Sequence, residues 1–154
     1  MFRALVVDDE EPILRLMCAM LKIQGFEVRT ASSAREAIVL LREESFDLLV
    51  TDLRMETPLA GFEVTRFAQT LDPRPAIAVL TAFPVPGPAW KAAGADALYV
   101  KGAHSLELCA ELEALVQKHM AEPGVPQGGA RQSVRTHKVQ APVAPSSSHN
   151  GKYV

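Results

Sequence analysis

The chain has 154 residues, 16 of them basic and 18 acidic, with a net charge of −2 and 48% hydrophobic content, enough for one domain with a full core. The charge is unevenly spread: every acid lies at or before Glu122, while Arg131, Arg135, Lys138 and Lys152 come after it, so the first part carries about −6 (twelve basic against 18 acidic) and the rest about +4. An acidic body argues against a DNA-binding face on the domain itself; Asp8 interrupts the first apolar run too early for a signal peptide, and no run approaches a membrane span, so a cytoplasmic location is expected.

In chain order, short apolar runs alternate with amphipathic segments. Strands are expected at residues 3–7, 26–30, 48–51, 76–80 and 97–100. After the first run, Pro12 with Glu10 and Glu11 marks a helix start, where both proline and acids are favoured. Leu14, Met17, Cys18 and Leu21 keep helical spacing, and Gly25 ends that helix. Ser33-Ala34-Arg35-Glu36 reads as a capping box that opens a second helix bearing Ala34, Ala37, Ile38 and Leu41. A last helix, from about Ser105 to His119, buries Leu108, Leu112, Leu115 and Val116. Cys18 and Cys109 lie on apolar helical stretches without metal-site spacing and read as reduced core thiols. Residues 123–154 are rich in Pro, Gly and Ser without apolar periodicity, so the domain is expected to end at Glu122 and a disordered basic tail to follow. That tail is too poor in core residues for a helix-turn-helix output domain.

Alternating β and α segments of this size imply an α/β fold, a doubly wound parallel five-stranded sheet with helices on both faces. Ligands of such sheets bind beyond the carboxyl ends of the strands. Asp8-Asp9, Asp52, Thr81 and Lys101 each follow a strand candidate directly, so they are expected at one edge. Three converging carboxylates repel one another unless a cation or a shared proton offsets them. Magnesium, with about six oxygen ligands, suits that set. An aspartate beside it can attack phosphorus to give an acyl phosphate. The roles that follow are Asp8 and Asp9 as metal ligands, Asp52 as phosphoacceptor, Thr81 as a hydroxyl that meets a phosphoryl oxygen, and Lys101 as a point charge opposite.

These residues carry a family resemblance. Val6-Val7-Asp8-Asp9-Glu10, Asp47-Leu48-Leu49-Val50-Thr51-Asp52-Leu53-Arg54-Met55, Leu80-Thr81-Ala82, and Gly94-Ala95-Asp96 leading to Lys101 resemble the response-regulator receiver domain of two-component signalling, over about residues 2–120. The resemblance implies a flavodoxin-like fold with strand order 2-1-3-4-5, Mg2+ as cofactor, and a histidine kinase or phosphotransfer protein as phosphodonor to Asp52. It also implies that the backbone carbonyl of Arg54 completes the metal site with Asp8, Asp9 and Asp52, and that the side chains of Arg54 and Phe83 tune dephosphorylation. A signalling switch is implied rather than an enzyme, with at most self-catalysed phosphotransfer and autodephosphorylation, an unidentified downstream protein target and a possible dimer.

The chain departs from the family pattern in four places. Gly102 stands where a cis proline usually follows the lysine, and a trans bond is expected there because a cis bond before a non-proline residue costs roughly 2.5–4 kcal/mol. Leu98 occupies the position of the switch aromatic, and Tyr99, one residue later, should point to the opposite face of the strand. Pro84, Pro86 and Pro88 cannot all lie inside a helix, so the fourth helix is expected to shrink to about residues 89–93 and the partner surface to be non-standard. Glu56 stands where proline is common, in a loop one residue longer than usual, and is expected to be solvated or to approach the metal. Two other functions compete: a phosphorylation-independent interaction module, and a magnesium-dependent phosphohydrolase. The latter is disfavoured because Asp8 and Asp9 are adjacent and the nucleophile candidate lies on another strand.

Overall fold

The computed structural model describes residues 1–83, 87–102 and 105–122, apart from the Ser105 side chain. The proposed tail, Pro84 and Pro86, and His104, His137 and His149 lie outside the described residues. The elements run β1 (Arg3–Val7), α1 (Glu11–Ile23), β2 (Glu27–Ala31), α2 (Ala34–Glu43), β3 (Leu48–Thr51), α3 (Ala60–Gln69), β4 (Ala76–Thr81), α4 (Ala89–Ala92), β5 (Ala97–Val100) and α5 (Ser105–Ala121). All strand pairs are parallel, in the order β2-β1-β3-β4-β5. This is the doubly wound flavodoxin-like fold expected from the sequence.

Strand side chains alternate between two cores because successive Cβ atoms point to opposite faces. Leu5, Val7, Leu49, Ile77 and Val79 face α2 and α3, meeting Ala37, Leu41, Val64 and Ala68. Ala4, Val6, Leu48, Val50, Ala78 and Leu80 face the other way, meeting Leu14, Met17 and Leu21 of α1 and Cys109, Leu112 and Val116 of α5. The same alternation separates Leu98 from Tyr99. Leu98 packs on the α2–α3 side, while Tyr99 packs on the α1–α5 side, where burial and then the Glu111 charge raise its pKa. Tyr99 therefore does not take the face of the switch aromatic.

The helix ends follow the local sequence in part. Ser33 caps α2 by accepting the Glu36 N–H at 3.1 Å. The expected box is altered, since the Glu36 carboxylate turns to the Ser32 N–H and hydroxyl at 2.8 and 2.9 Å instead of the Ser33 N–H. For α1, neither Asp8 nor Asp9 is the N-cap. Glu10 holds that place without a side-chain cap bond, and its own N–H donates to Asp8 Oδ1 at 2.9 Å. Gly25, just beyond α1, has φ +88°, the left-handed conformation that suits glycine. The fourth helix is a single turn, and Trp90 on it is half-buried against the α2–α3 core. Cys109 is buried as expected, but Cys18 is only half-buried; both are free thiols.

Candidate phosphoacceptor site

Parallel pairing brings the strand ends level. Val7 pairs with Thr51, so Asp8 and Asp52 emerge side by side; Thr81 pairs with Val100, so Lys101 emerges one residue beyond it. The chain leaves each strand on a fixed backbone bond: Asp8 N–H to the Ala31 carbonyl (3.1 Å), Asp52 N–H to that of Val7 (2.9 Å) and Lys101 N–H to that of Thr81 (2.8 Å). β4 extends one residue further than expected and includes Thr81.

The carboxylates of Asp8, Asp9 and Asp52 converge, with one oxygen from each lying within 4.8 Å of the others. Asp8 and Asp52 are buried and Asp9 is exposed, so the cluster opens to solvent on one side. The Lys101 ammonium bridges the two buried acids, at 2.6 Å from Asp8 Oδ2 and 2.9 Å from Asp52 Oδ2. Its side chain is only 10% exposed, which rules out an ordinary surface lysine. Burial alone would lower the Lys101 pKa, but the bonds to Asp52 and Asp8 and their charges outweigh it and hold the group above its ordinary value. Asp8 is pushed up from the usual carboxylate value of 3.8, first by burial and also by the Asp52 charge, although Lys101 and the Glu10 N–H oppose the rise.

Thr81 is buried at the same edge, its hydroxyl accepting the Phe83 N–H at 3.4 Å, a long bond. The Arg54 N–H points at Asp52 Oδ1 at 3.4 Å, and the side chains of Arg54 and Phe83 are exposed. Among the described residues the one cis peptide is Asp72-Pro73, so the bond from Lys101 to Gly102 is trans, as expected. Gly102 has φ +83°, and a Cβ there would meet nothing within 4 Å. Glycine thus turns the chain after the lysine by its backbone freedom rather than by a proline ring.

The roles of Glu10 and Gly61 at the site, and the partner of Glu56, are not visible in residue spacing. Glu10 Oε2 lies 3.5 Å from Lys101 Nζ and adds a fourth carboxylate at the rim. Gly61 packs so closely under the site that a Cβ would sit 2.0 Å from the Asp52 carbonyl oxygen. Its only signal in the sequence is a poor helix former at a helix start. Glu56 is exposed, yet its carboxylate is not simply solvated: Oε1 accepts the Ala34 N–H at 2.8 Å, at the start of α2. Of the two expectations, solvated or near the metal, exposure fits the first, and the group of converging acids at the site does not include Glu56; the bond to Ala34 was in neither.

Hard oxygen donors at this spacing, two of them buried and one open to water, fit magnesium, which keeps several waters and takes few carboxylates. They lack the nitrogen and sulfur ligands that a zinc site uses.

Comparisons with known proteins agree with this geometry. A family model of the response regulator receiver domain matches residues 4–113. The response regulator protein PilR of Pseudomonas aeruginosa is 35% identical over 81 residues, covering 53% of this chain and 18% of PilR. The transcriptional regulatory protein GlrR of Escherichia coli is 35% identical over 78 residues, covering 51% of this chain and 17% of GlrR. The chain thus spans less than a fifth of the length of those two relatives. Among solved structures, a CheY-like receiver domain from Methanospirillum hungatei superposes with a TM-score of 0.71 at 26% identity, covering 77% of this chain and 96% of that one. The response regulator TrrA of Thermotoga maritima, solved in complex with Mg2+ and beryllium fluoride, superposes with a TM-score of 0.64 at 29% identity, covering 75% and 99%. No helix among the described residues is long and apolar enough to cross a membrane. This chain belongs to the response regulator receiver domain family.

Proposed function

We propose that the chain is a phosphorylatable signalling switch in which Asp52 accepts a phosphoryl group from a histidine kinase or phosphotransfer protein. The observation that carries this reading is the meeting of three carboxylates and the buried Lys101 ammonium at one strand edge. Asp8, Asp9, Asp52 and the Arg54 carbonyl would hold Mg2+, which when bound neutralises the oxygens of the transferring group. An Asp52 oxygen attacks phosphorus while the bond from phosphorus to the donor nitrogen breaks, leaving an acyl phosphate. Lys101 supplies a positive charge within reach of the new oxygens. The Thr81 hydroxyl, whose partner among the described residues is the Phe83 N–H at a long 3.4 Å, can turn toward them. No turnover of a substrate is assigned; the chemistry is at most self-catalysed transfer of the phosphoryl group from the donor to Asp52 and its later loss to water. The signal then passes to an unidentified protein partner, consistent with an acidic domain and with the cytoplasm as its setting.

The test is intact mass after incubation with Mg2+ and acetyl phosphate. Wild type is expected to gain one phosphoryl group and Asp52→Asn none. Beryllium fluoride with Mg2+ should change the fluorescence of Trp90, which lies half-buried on α4. No gain in mass and no fluorescence response would leave the second reading, a phosphorylation-independent interaction module. That reading draws its support from Leu98, which puts an aliphatic side chain on the face where the switch aromatic is expected.

A further inference from the structure

The loop that carries Arg54 is tied to α2, which packs beside α3 on the same face of the sheet. Glu56 reaches across 22 residues of sequence to accept the Ala34 N–H at 2.8 Å. Ala34 is the first residue of α2, where the backbone amides lack partners within the helix and the helix dipole favours an anion. Helix α2 does not depend on Glu56 for its cap, since Ser33 takes the Glu36 N–H and Glu36 turns back onto Ser32. Glu56 satisfies an amide left over by that local arrangement. On the loop side, the Met55 N–H donates to the Thr57 carbonyl at 3.2 Å, which folds the backbone tightly around Glu56. The position of the Glu56 carboxylate and that of the Arg54 carbonyl, two residues earlier, are therefore not independent.

We propose that Glu56 is a positioning residue for the cation site: its bond to α2 holds the loop so that the Arg54 carbonyl is in place, and cation binding in turn tightens the start of α2. This rests on the reading of Asp8, Asp9, Asp52 and Arg54 as the Mg2+ site. Coupling of this kind is reciprocal, so the two ends must report each other. It also offers a route out of the site on the α2 side, separate from the β5 position occupied by Leu98.

Wild type, Glu56→Gln and Glu56→Ala are compared by calorimetric Mg2+ titration and by hydrogen exchange of the Ala34 amide, without and with saturating Mg2+. The Glu56 side chain is exposed, so neither change disturbs the core. Glu56→Ala is expected to weaken Mg2+ binding about tenfold, as loss of a supporting contact behind a ligand does, and Glu56→Gln, which keeps an oxygen acceptor, by no more than about twofold. Ala34 exchange should slow on Mg2+ binding in wild type and stay unchanged by Mg2+ in Glu56→Ala. Faster Ala34 exchange in Glu56→Ala with unaltered Mg2+ affinity would reduce Glu56 to a helix cap and overturn the proposal. Equal weakening by Gln and Ala would also overturn it, because charge and not the bond would then be responsible. Mg2+ binding by wild type that ignores Glu56 overturns this inference alone, whereas no Mg2+ binding by wild type overturns the site reading and this inference together.

Discussion

The two edges of the sheet handle carboxylates in opposite ways. At the edge where strands begin, Asp47 and Asp96 each stand just before a strand and close onto the neighbouring one. The Asp47 N–H donates to the Arg3 carbonyl (2.8 Å) while its Oδ2 accepts the Arg3 N–H (2.8 Å); the Asp96 N–H donates to the Ile77 carbonyl (2.7 Å) while its Oδ2 accepts the Ile77 N–H (2.8 Å). Arg74 adds a bidentate pair to Asp96 at 2.7 and 3.1 Å. At the edge where strands end, Asp8, Asp9 and Asp52 face one another around one ammonium, with Glu10 at the rim. The first edge is electrostatically satisfied within the chain; the second keeps negative charge in excess. The same residue type serves the fold at one edge and is left poised for an external cation at the other.

The largest effect is expected where the two demands meet, at Gly61. A Cβ there would fall 2.0 Å from the Asp52 carbonyl oxygen and 2.5 Å from the Leu53 Cα, both backbone atoms. Gly61→Ala should destabilise the fold by about 3 kcal/mol, the upper end of the usual overpacking cost, because backbone cannot move aside as a side chain does. Urea unfolding checks this. A stability near wild type would mean that the loop below Asp52 is free to shift, and that the site edge is not built on fixed spacing.

Next in size is the satisfied edge. Asp96→Ala removes the acceptor for the buried Ile77 N–H and the partner of Arg74. An expected loss of about 2 kcal/mol follows from leaving a buried donor unpaired. Asp96→Asn keeps a carbonyl oxygen for Ile77 and should lose less. If both variants lose equally, the ion pair with Arg74, rather than the backbone closure, sustains this edge.

The site edge was the more legible of the two in the sequence, and the reason is physical. Asp8, Asp52 and Lys101 follow strands, so the parallel topology alone gathers them, and the apolar runs that define the strands are short and clear. Asp47 and Asp96 were visible as residues of a family motif, but their work is done by backbone partners on other strands, which no spacing reveals. The contact between Glu56 and Ala34 joins segments 22 residues apart without any periodic pattern. Helix α3 has no clear bounds in the sequence, since its buried residues, Ala60, Gly61, Val64, Thr65 and Ala68, are mostly small or polar and make a faint apolar stripe. The side chain of Thr65 is itself buried with its hydroxyl unpartnered, and nothing in the structure explains it.

The smallest effect is a gain, and it carries the sharpest contrast between the edges. Burial is the main cause holding the Asp8 pKa above 3.8, ahead of the opposing bond from Lys101. A raised carboxyl pKa means that the folded chain binds its proton more tightly than the unfolded chain does. Its contribution is thus fully present below the ordinary value and is lost as pH rises through the raised one. At neutral pH in a chelating buffer the burial of the ionised Asp8 is therefore a net cost, and Asp8→Asn should raise Tm, by less than the losses above because Lys101 then keeps only Asp52 as a buried partner. The gain should shrink as pH falls toward 3.8. Adding Mg2+ should reverse the order, because a cation held at ten times its Kd stabilises wild type by about 1.4 kcal/mol, and the variant has lost a ligand. Thermal melts of both proteins across pH, without and with Mg2+, should therefore cross. If Asp8→Asn is the less stable protein in chelator, Lys101 already balances the acids, and the site edge is no more poised for a cation than the edge closed by Asp47 and Asp96.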